Sequence, residues 1–272
     1  MREEMAALGW MVITGAGGGI MRAGHGGAGR KASFGVAIRL PFETTANEFI
    51  LDDPKLIVFR YFFTRKLMFA SQASAVALFP GGFGTQDEGF EILTLIQTGK
   101  SPMVPIVMVD APGEHYWKQW ETFLHRSLLD KGWISPEDLN LFKITDDPSE
   151  AVREIQHFYR NYHSQRYVRD ELVIRMNRAL TPEQVGTLNT EFADLIKEGR
   201  IEQGKPPKAD RSHLDLPRLR FIFTRRAYGR LRVLINRIND FDAINHPILT
   251  PNADDVSPRP VDGKPSMGAG GF

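Results

Sequence analysis

Ala73-Ser74-Ala75-Val76-Ala77-Leu78-Phe79-Pro80-Gly81-Gly82-Phe83-Gly84-Thr85-Gln86-Asp87-Glu88 passes from an apolar run through a glycine turn into a helical pattern. The run 73–79 has the composition of a strand buried on both faces of a parallel sheet, and Pro80 ends it. Three glycines in four positions let the backbone turn sharply and approach a ligand, with amide N–H groups left to point at an anion. From Thr85 a helical pattern follows, with Phe90, Ile92, Leu93, Leu95 and Ile96 apolar, and it stops near Gly99. Strand, glycine turn and helix N-terminus together make an anion site, because first-turn amides lack partners and the helix dipole favours negative charge. Phosphate is the natural occupant. The fold expected around this unit is α/β, a Rossmann-like doubly wound parallel sheet with helices on both faces.

Thr85-Gln86-Asp87-Glu88 also fits a capping box, in which Glu88 satisfies a backbone N–H. Arg65, 23 residues before Glu88 in Phe62-Phe63-Thr64-Arg65-Lys66-Leu67-Met68, favours a chemical role beside that one. If residues 60–72 are helical, Arg65 lies roughly 12 Å before the helix end at about 1.5 Å per residue. A strand over 74–79 climbs back about 18 Å at about 3.3 Å per residue. Arg65 then starts near the same carboxyl edge of the sheet as Glu88, the edge where ligands bind in open α/β sheets.

The Arg-Lys pair, the 23-residue gap and PGGxGTxxE resemble the LOG (Lonely Guy) family of nucleoside 5'-monophosphate phosphoribohydrolases, which also carries the older label possible lysine decarboxylase. The resemblance covers roughly residues 1–165. It implies that Arg65 and Glu88 are catalytic. A first glycine segment, Thr14-Gly15-Ala16-Gly17-Gly18-Gly19-Ile20-Met21, follows the strand Trp10-Met11-Val12-Ile13, and Arg39-Leu40-Pro41-Phe42-Glu43 with Asn47 looks like the longer, AMP nucleosidase-like branch. The resemblance further implies a cytoplasmic homodimer or higher homo-oligomer that acts on a nucleoside 5'-monophosphate, AMP first, without a cofactor. The lysine decarboxylase label would require a pyridoxal-phosphate lysine, for which the sequence makes no case.

The chemistry agrees. Breaking an N-glycosidic bond develops oxocarbenium-like charge on the ribose, which a carboxylate such as Glu88 can stabilise while activating water. Arg65 keeps its proton and reads as a clamp on phosphate or departing base. Gly81, Gly82, Gly84 and Thr85 would hold the 5'-phosphate. Gly15, Gly17, Gly18 and Gly19 would border the ribose or base, or simply form a tight strand-to-helix turn. Lys66 reads as a solvated helix residue, counted with the substrate-binding group and not as a catalyst. Asp87 reads as a first-turn dipole partner, and His25 as a surface-loop residue. A non-catalytic nucleotide or cofactor carrier of the same fold, like molybdenum cofactor carrier proteins, is the alternative.

Competing motifs fail on spacing. A dinucleotide fingerprint from Gly15 or Gly17 would need Gly or Ala at position 20 or 22, which hold Ile20 and Arg22, and no Gly-Lys-Ser/Thr follows either glycine run. The 272 residues, 42% hydrophobic, suffice for one substantial core plus an appendage. A net charge of +1 argues against a wholesale nucleic-acid binder, and the apolar runs are too short for a membrane span. Zero cysteines exclude thiol catalysis and disulfides and fit a reducing cytosol, while seven scattered histidines support no metal site.

Met1 to Leu8 reads as the tail of a helix leading into the strand at Trp10. Family members begin with a further strand, a glycine loop and a full first helix, so the sheet is expected to lack its first strand, pointing to an internal start codon or a truncated gene model. Further strands are expected at 102–110 and 141–145, and helices at 116–131 and from Pro148 to about Tyr162. Three regions are expected: a Rossmann-like nucleotide-binding catalytic domain over 1–165, a mostly helical, Arg-rich extension over 166–250, and a disordered tail over 251–272. Within the extension, 169–179 and 181–199 read as helices and 204–210 as a linker. Pro217–Arg237 holds seven arginines and no acid, interleaved with apolar residues. It reads either as a nucleic-acid or anionic-effector segment or as an amphipathic element with snorkelling arginines.

Overall fold

A computed structural model of the protein describes residues 5, 9–40, 46–207 and 210–243. Expectations about the chain's opening, about Pro41–Glu43 and about the tail from 251 lie outside those residues. Two compact units emerge, one taking in Arg2–Ala73 and the other Ser74–Leu249.

The first unit is a three-stranded parallel sheet in the order β1 (Val12–Thr14), β2 (Ser33–Ile38), β3 (Leu56–Phe59). Helix α1 (Gly19–Ala28) crosses from β1 to β2, and α2 (Phe62–Gln72) follows β3. Parallel pairing demands such crossovers, since a tight turn cannot reverse the chain twice. Val36, Ile50 and Ala16 are buried at its centre together with the polar His25 and Ser33.

The second unit opens with another parallel sheet, β4 (Val76–Leu78), β5 (Ile106–Val109) and β6 (Phe142–Thr145), joined by α3 (Phe83–Gln97) and α4 (Tyr116–Leu124). β5 is buried at every position, as a central strand covered on both faces must be. Helix α5 (Pro148–Phe158) starts on Asp147, whose carboxylate accepts the Ser149 N–H at 2.8 Å, with proline at the first turn. The architecture is Rossmann-like α/β. The described parallel strands form two three-stranded sheets, β1-β2-β3 and β4-β5-β6.

The extension corrects the sequence reading. It is not mostly helical: β7 (Tyr162–Val168), β8 (Glu171–Met176), β10 (Arg218–Phe223) and β9 (Ile196–Gly204) form an antiparallel sheet in the order 7-8-10-9. The stretch 169–179 contains β8, which is buried at five of its six positions by Leu172, Val173, Ile174, Arg175 and Met176. Helix α6 (Pro182–Glu191) carries the expected capping box of Thr181 and Gln184 but ends well before Gly199. Gly199, at φ 75°, lies in β9 opposite a register irregularity of β10, a bulge that a helix could not accommodate.

Helix α7 (Tyr228–Ala243) packs Leu231, Leu234, Ile235 and Ile238 into a core shared with the sheets of this unit. Buried Asn239 locks it in place, its Oδ1 accepting the N–H groups of Asn161 and Tyr162 at 2.9 and 2.8 Å and its Nδ2 donating to the Phe158 carbonyl at 2.7 Å. The arginines of 217–237 mostly find partners inside the chain. Arg232 pairs with Glu154, Arg237 with Glu191, Arg230 with Asp194 and Arg220 with Glu171 and Glu202. Arg225 lies over the Tyr167 ring. The loop before β10 is clasped by Asp210, whose buried carboxylate accepts from Arg218 at 2.9 Å and from Arg175 at 2.5 and 3.3 Å. The segment is therefore a strand and a helix packed within this unit, and its Arg218 and Arg232 are buried and ion-paired where snorkelling arginines were expected.

Candidate active site

β4 ends at Leu78, and the chain turns through Phe79-Pro80-Gly81-Gly82 into α3. Gly82 occupies the N-cap position with no side-chain cap, and the first turn carries no acid. The amides ahead of Thr85 thus receive no side-chain acceptor from the N-cap, and no acid of the first turn offsets the dipole there. Gly81 is demanded by packing: a Cβ on it would lie 2.2 Å from Thr85 Oγ1 and 3.1 Å from Thr85 Cβ. Gly82 and Gly84 are different, because a Cβ on either would meet nothing within 4 Å. Their openness leaves room for a ligand against the backbone.

The capping-box reading of Glu88 is overturned. Helix α3 begins two residues earlier than the sequence pattern suggests, so Thr85 is its third residue, donating its N–H to the Gly82 carbonyl at 3.1 Å. Glu88 is the sixth, half-buried, three and four residues beyond Thr85 and Gly84 and hence on their face. Helical Cβ atoms tilt toward the N-terminus, so the Glu88 Cβ is directed toward the open end of the helix. Asp87, placed in the first turn by the sequence reading, lies in the second instead.

Tyr116 escaped sequence reasoning. At the first position of α4, its hydroxyl donates to the Gly81 carbonyl at 2.6 Å and accepts from Gln86 Nε2 at 2.5 Å. The turn is fixed by a residue from the next crossover, and the only sequence signal for it is its place just after strand β5.

The other candidate residues belong to the first unit. Arg65 is the fourth residue of α2, half-buried, with its guanidinium carbon 5.3 Å from the Phe62 ring and 5.8 Å from the Phe69 ring. Its Nη1 lies 3.7 Å from the point a Cβ on Gly15 would occupy, and Met21 Sδ only 3.0 Å from it. The structure thus brings Arg65 and the first glycine segment together. Lys66 follows on the same helix, half-buried and less solvated than the sequence suggests.

Between β1 and α1 the chain runs through Gly15-Ala16-Gly17-Gly18, with Gly18 at the N-cap of α1 and again no side-chain cap. Ala16, buried, has φ 64°, a conformation costing a residue with a Cβ about 1–2 kcal/mol. The cost is met by hydrogen bonds. Ala16 N–H donates to Thr14 Oγ1 at 3.0 Å, and the Ala16 carbonyl accepts from both the backbone N–H and the side-chain Nδ2 of Asn47, at 2.8 and 3.0 Å. Asn47 Nδ2 also donates to the Gly17 carbonyl at 3.1 Å.

His25 corrects the sequence reading too. It is fully buried within α1, not on a surface loop, with Nε2 3.0 Å from Thr14 Oγ1 and 3.2 Å from the Phe34 carbonyl, and Nδ1 3.2 Å from Asn47 Oδ1. Among the described residues no group of three or more His, Cys, Asp or Glu could hold a metal ion, and no helix is long and apolar enough to cross a membrane.

A family model described as possible lysine decarboxylase matches residues 18–155. Over 94 residues, covering 35% of this chain and 42% of the relative, the sequence is 31% identical to a cytokinin riboside 5'-monophosphate phosphoribohydrolase of Arabidopsis thaliana. Over 104 residues, 38% of this chain and 52% of the relative, it is 34% identical to a cytokinin riboside 5'-monophosphate phosphoribohydrolase of Mycobacterium tuberculosis. The chain spans about half the length of these curated relatives.

Proposed function

The chain belongs to the LOG family, the family described as possible lysine decarboxylase, and on that premise we propose that it hydrolyses the N-glycosidic bond of a purine nucleoside 5'-monophosphate, AMP first, to free base and ribose 5-phosphate. The observation that carries the reading is the uncapped N-terminus of α3 with Glu88 on the same helix face. An anion held at the amides of Gly82–Gly84 and the Thr85 hydroxyl places its attached sugar near a carboxylate one turn on.

In this mechanism the 5'-phosphate rests on Gly81, Gly82, Gly84 and Thr85. The bond from ribose C1' to the base nitrogen breaks, Glu88 stabilises the oxocarbenium-like ribose and directs water onto C1', and the water's second proton leaves with the base. Arg65, a permanent cation, clamps the phosphate or the departing base, with Lys66 adding charge on the same helix. Gly15, Gly17, Gly18 and Gly19 border the ribose or base. The proposal extends to a cytoplasmic homodimer. A Rossmann-like catalytic region over 1–165 with an appended Arg-rich region is the matching division of the chain.

Incubation with AMP, GMP, IMP, CMP, UMP and cytokinin riboside monophosphates, with free lysine as a further arm, tests it by chromatography of released base. Release of adenine from AMP by the wild type, lowered by about 10²–10⁴-fold in Glu88→Gln, is the expected result. Tight nucleotide binding with no base released from any substrate would replace the hydrolase with a carrier.

A further inference from the structure

We infer that Thr14, His25 and Asn47 are positioning residues, forming a closed hydrogen-bond ring that holds the first glycine turn in its substrate-binding shape. The donors and acceptors fix its direction. Asn47 Nδ2 donates to the Ala16 and Gly17 carbonyls and also lies 3.1 Å from His25 Nδ1, with Asn47 Oδ1 3.2 Å from the same ring nitrogen. The Phe34 carbonyl, 3.2 Å from His25 Nε2, can only accept, so Nε2–H donates to it and to Thr14 Oγ1, Nδ1 accepts from Asn47 Nδ2, and Thr14 Oγ1 also accepts the Ala16 N–H. The chain of bonds starts at the Ala16 N–H and returns to the Ala16 carbonyl.

Three observations favour a positioning role over ordinary core packing. The ring encloses Ala16, a residue held at positive φ, and such conformations persist only where surroundings over-determine them. Every member is polar and at least half-buried, His25 fully, although an apolar core residue would fill the same space. The turn it fixes carries Gly15, beside which the Arg65 guanidinium lies. A shift of Ala16 would therefore move the surface that Arg65 shares.

The inference rests on the proposal that Gly15–Gly19 border the substrate, and its test separates the two. Thr14→Val removes the hydroxyl at constant shape, Thr14→Ser keeps it, and Asn47→Leu opens the ring elsewhere. With a nucleotide the wild type hydrolyses, Thr14→Val and Asn47→Leu should raise KM about fivefold to tenfold, the factor carried by one neutral hydrogen bond. kcat should stay within about twofold, and Thr14→Ser should restore KM, because the turn acts through binding and not through the bond-breaking step. Amide exchange at Ala16 and Gly17 should quicken in Thr14→Val and Asn47→Leu, with β2 unchanged.

Wild-type KM and exchange in both Thr14→Val and Asn47→Leu would overturn the ring, as would a Thr14→Ser defect equal to that of Thr14→Val. Exchange rising equally across β2 would reduce its role to general stability. If the wild type hydrolyses no nucleotide, the hydrolase proposal fails and exchange at Ala16 in the three variants still decides the ring. Should Thr14→Val not fold, Asn47→Leu against wild type decides the same point.

Discussion

Gly81 and Gly84 sit three residues apart in one turn and answer to different constraints. At Gly81 an added methyl must displace the Thr85 side chain, since Cβ would stand 2.2 Å from its hydroxyl oxygen. Gly81→Ala is expected to cost about 1–3 kcal/mol of stability, the range for overpacking. At Gly84 the methyl enters open space inside a helix, where alanine is favoured over glycine by about 0.5–1 kcal/mol. Gly84→Ala should therefore melt no lower than wild type while binding nucleotide more weakly, because the methyl fills the approach to the amides. Thermal denaturation run beside nucleotide titration checks both. Unchanged affinity in Gly84→Ala would mean that this turn does not cradle phosphate. At this scale the glycines, Arg65 and Glu88 stand out in the sequence as candidates because each residue type carries its own chemistry. His25 was not, because a histidine between glycines has loop composition and its burial comes from Thr14 and Asn47, 11 and 22 residues away in sequence.

Strands β2 and β3 were not marked, whereas β1, β4, β5 and β6 could be read from apolar composition and the helices that follow β3, β4, β5 and β6 from periodicity. The antiparallel sheet could not, and the β7–β8 hairpin shows why. Its two-residue turn is Arg169-Asp170, with Arg169 at φ 55° in place of the glycine or asparagine that marks such a turn. Arg175, polar within buried β8, hides that strand further, because the Asp210 that accepts from it lies 35 residues on. The clasp makes a prediction of its own. Burial pushes the Asp210 carboxyl up, but the hydrogen bonds from Arg175 and Arg218 outweigh it and hold the carboxyl below its ordinary value. A depressed folded-state pKa stabilises the protein fully above the unfolded value of about 3.9, and this stability is lost as pH falls through the lower folded value. Asp210→Asn should cost about 3–5 kcal/mol near neutral pH, since it strands buried guanidinium groups. Urea unfolding between pH 7 and 3 should then show a flatter acid limb in the variant. Equal acid sensitivity in the two proteins would remove Asp210 from the clasp.

Across the whole molecule, Arg65 belongs to the unit Arg2–Ala73 and Glu88 to the unit Ser74–Leu249, and the sheet edge that sequence spacing assigns to both is part of the proposal. The α/β class was legible because strand–helix alternation is local. The division into units was not, because it depends on contacts between residues far apart in sequence. Joint action of the two residues on one substrate is a claim that energetic coupling can measure directly. Residues acting on one transition state are strongly non-additive, because once one is lost the other has little left to stabilise, whereas independent residues multiply their effects. Arg65→Ala and Glu88→Gln are each expected to lower kcat/KM by about 10²–10⁴-fold, and the double variant by little more than the worse single one. Steady-state kinetics on the four proteins, with nucleotide affinity measured in parallel, gives the cycle. Losses that multiply would assign Arg65 to another step, with Glu88 and the α3 turn carrying the chemistry.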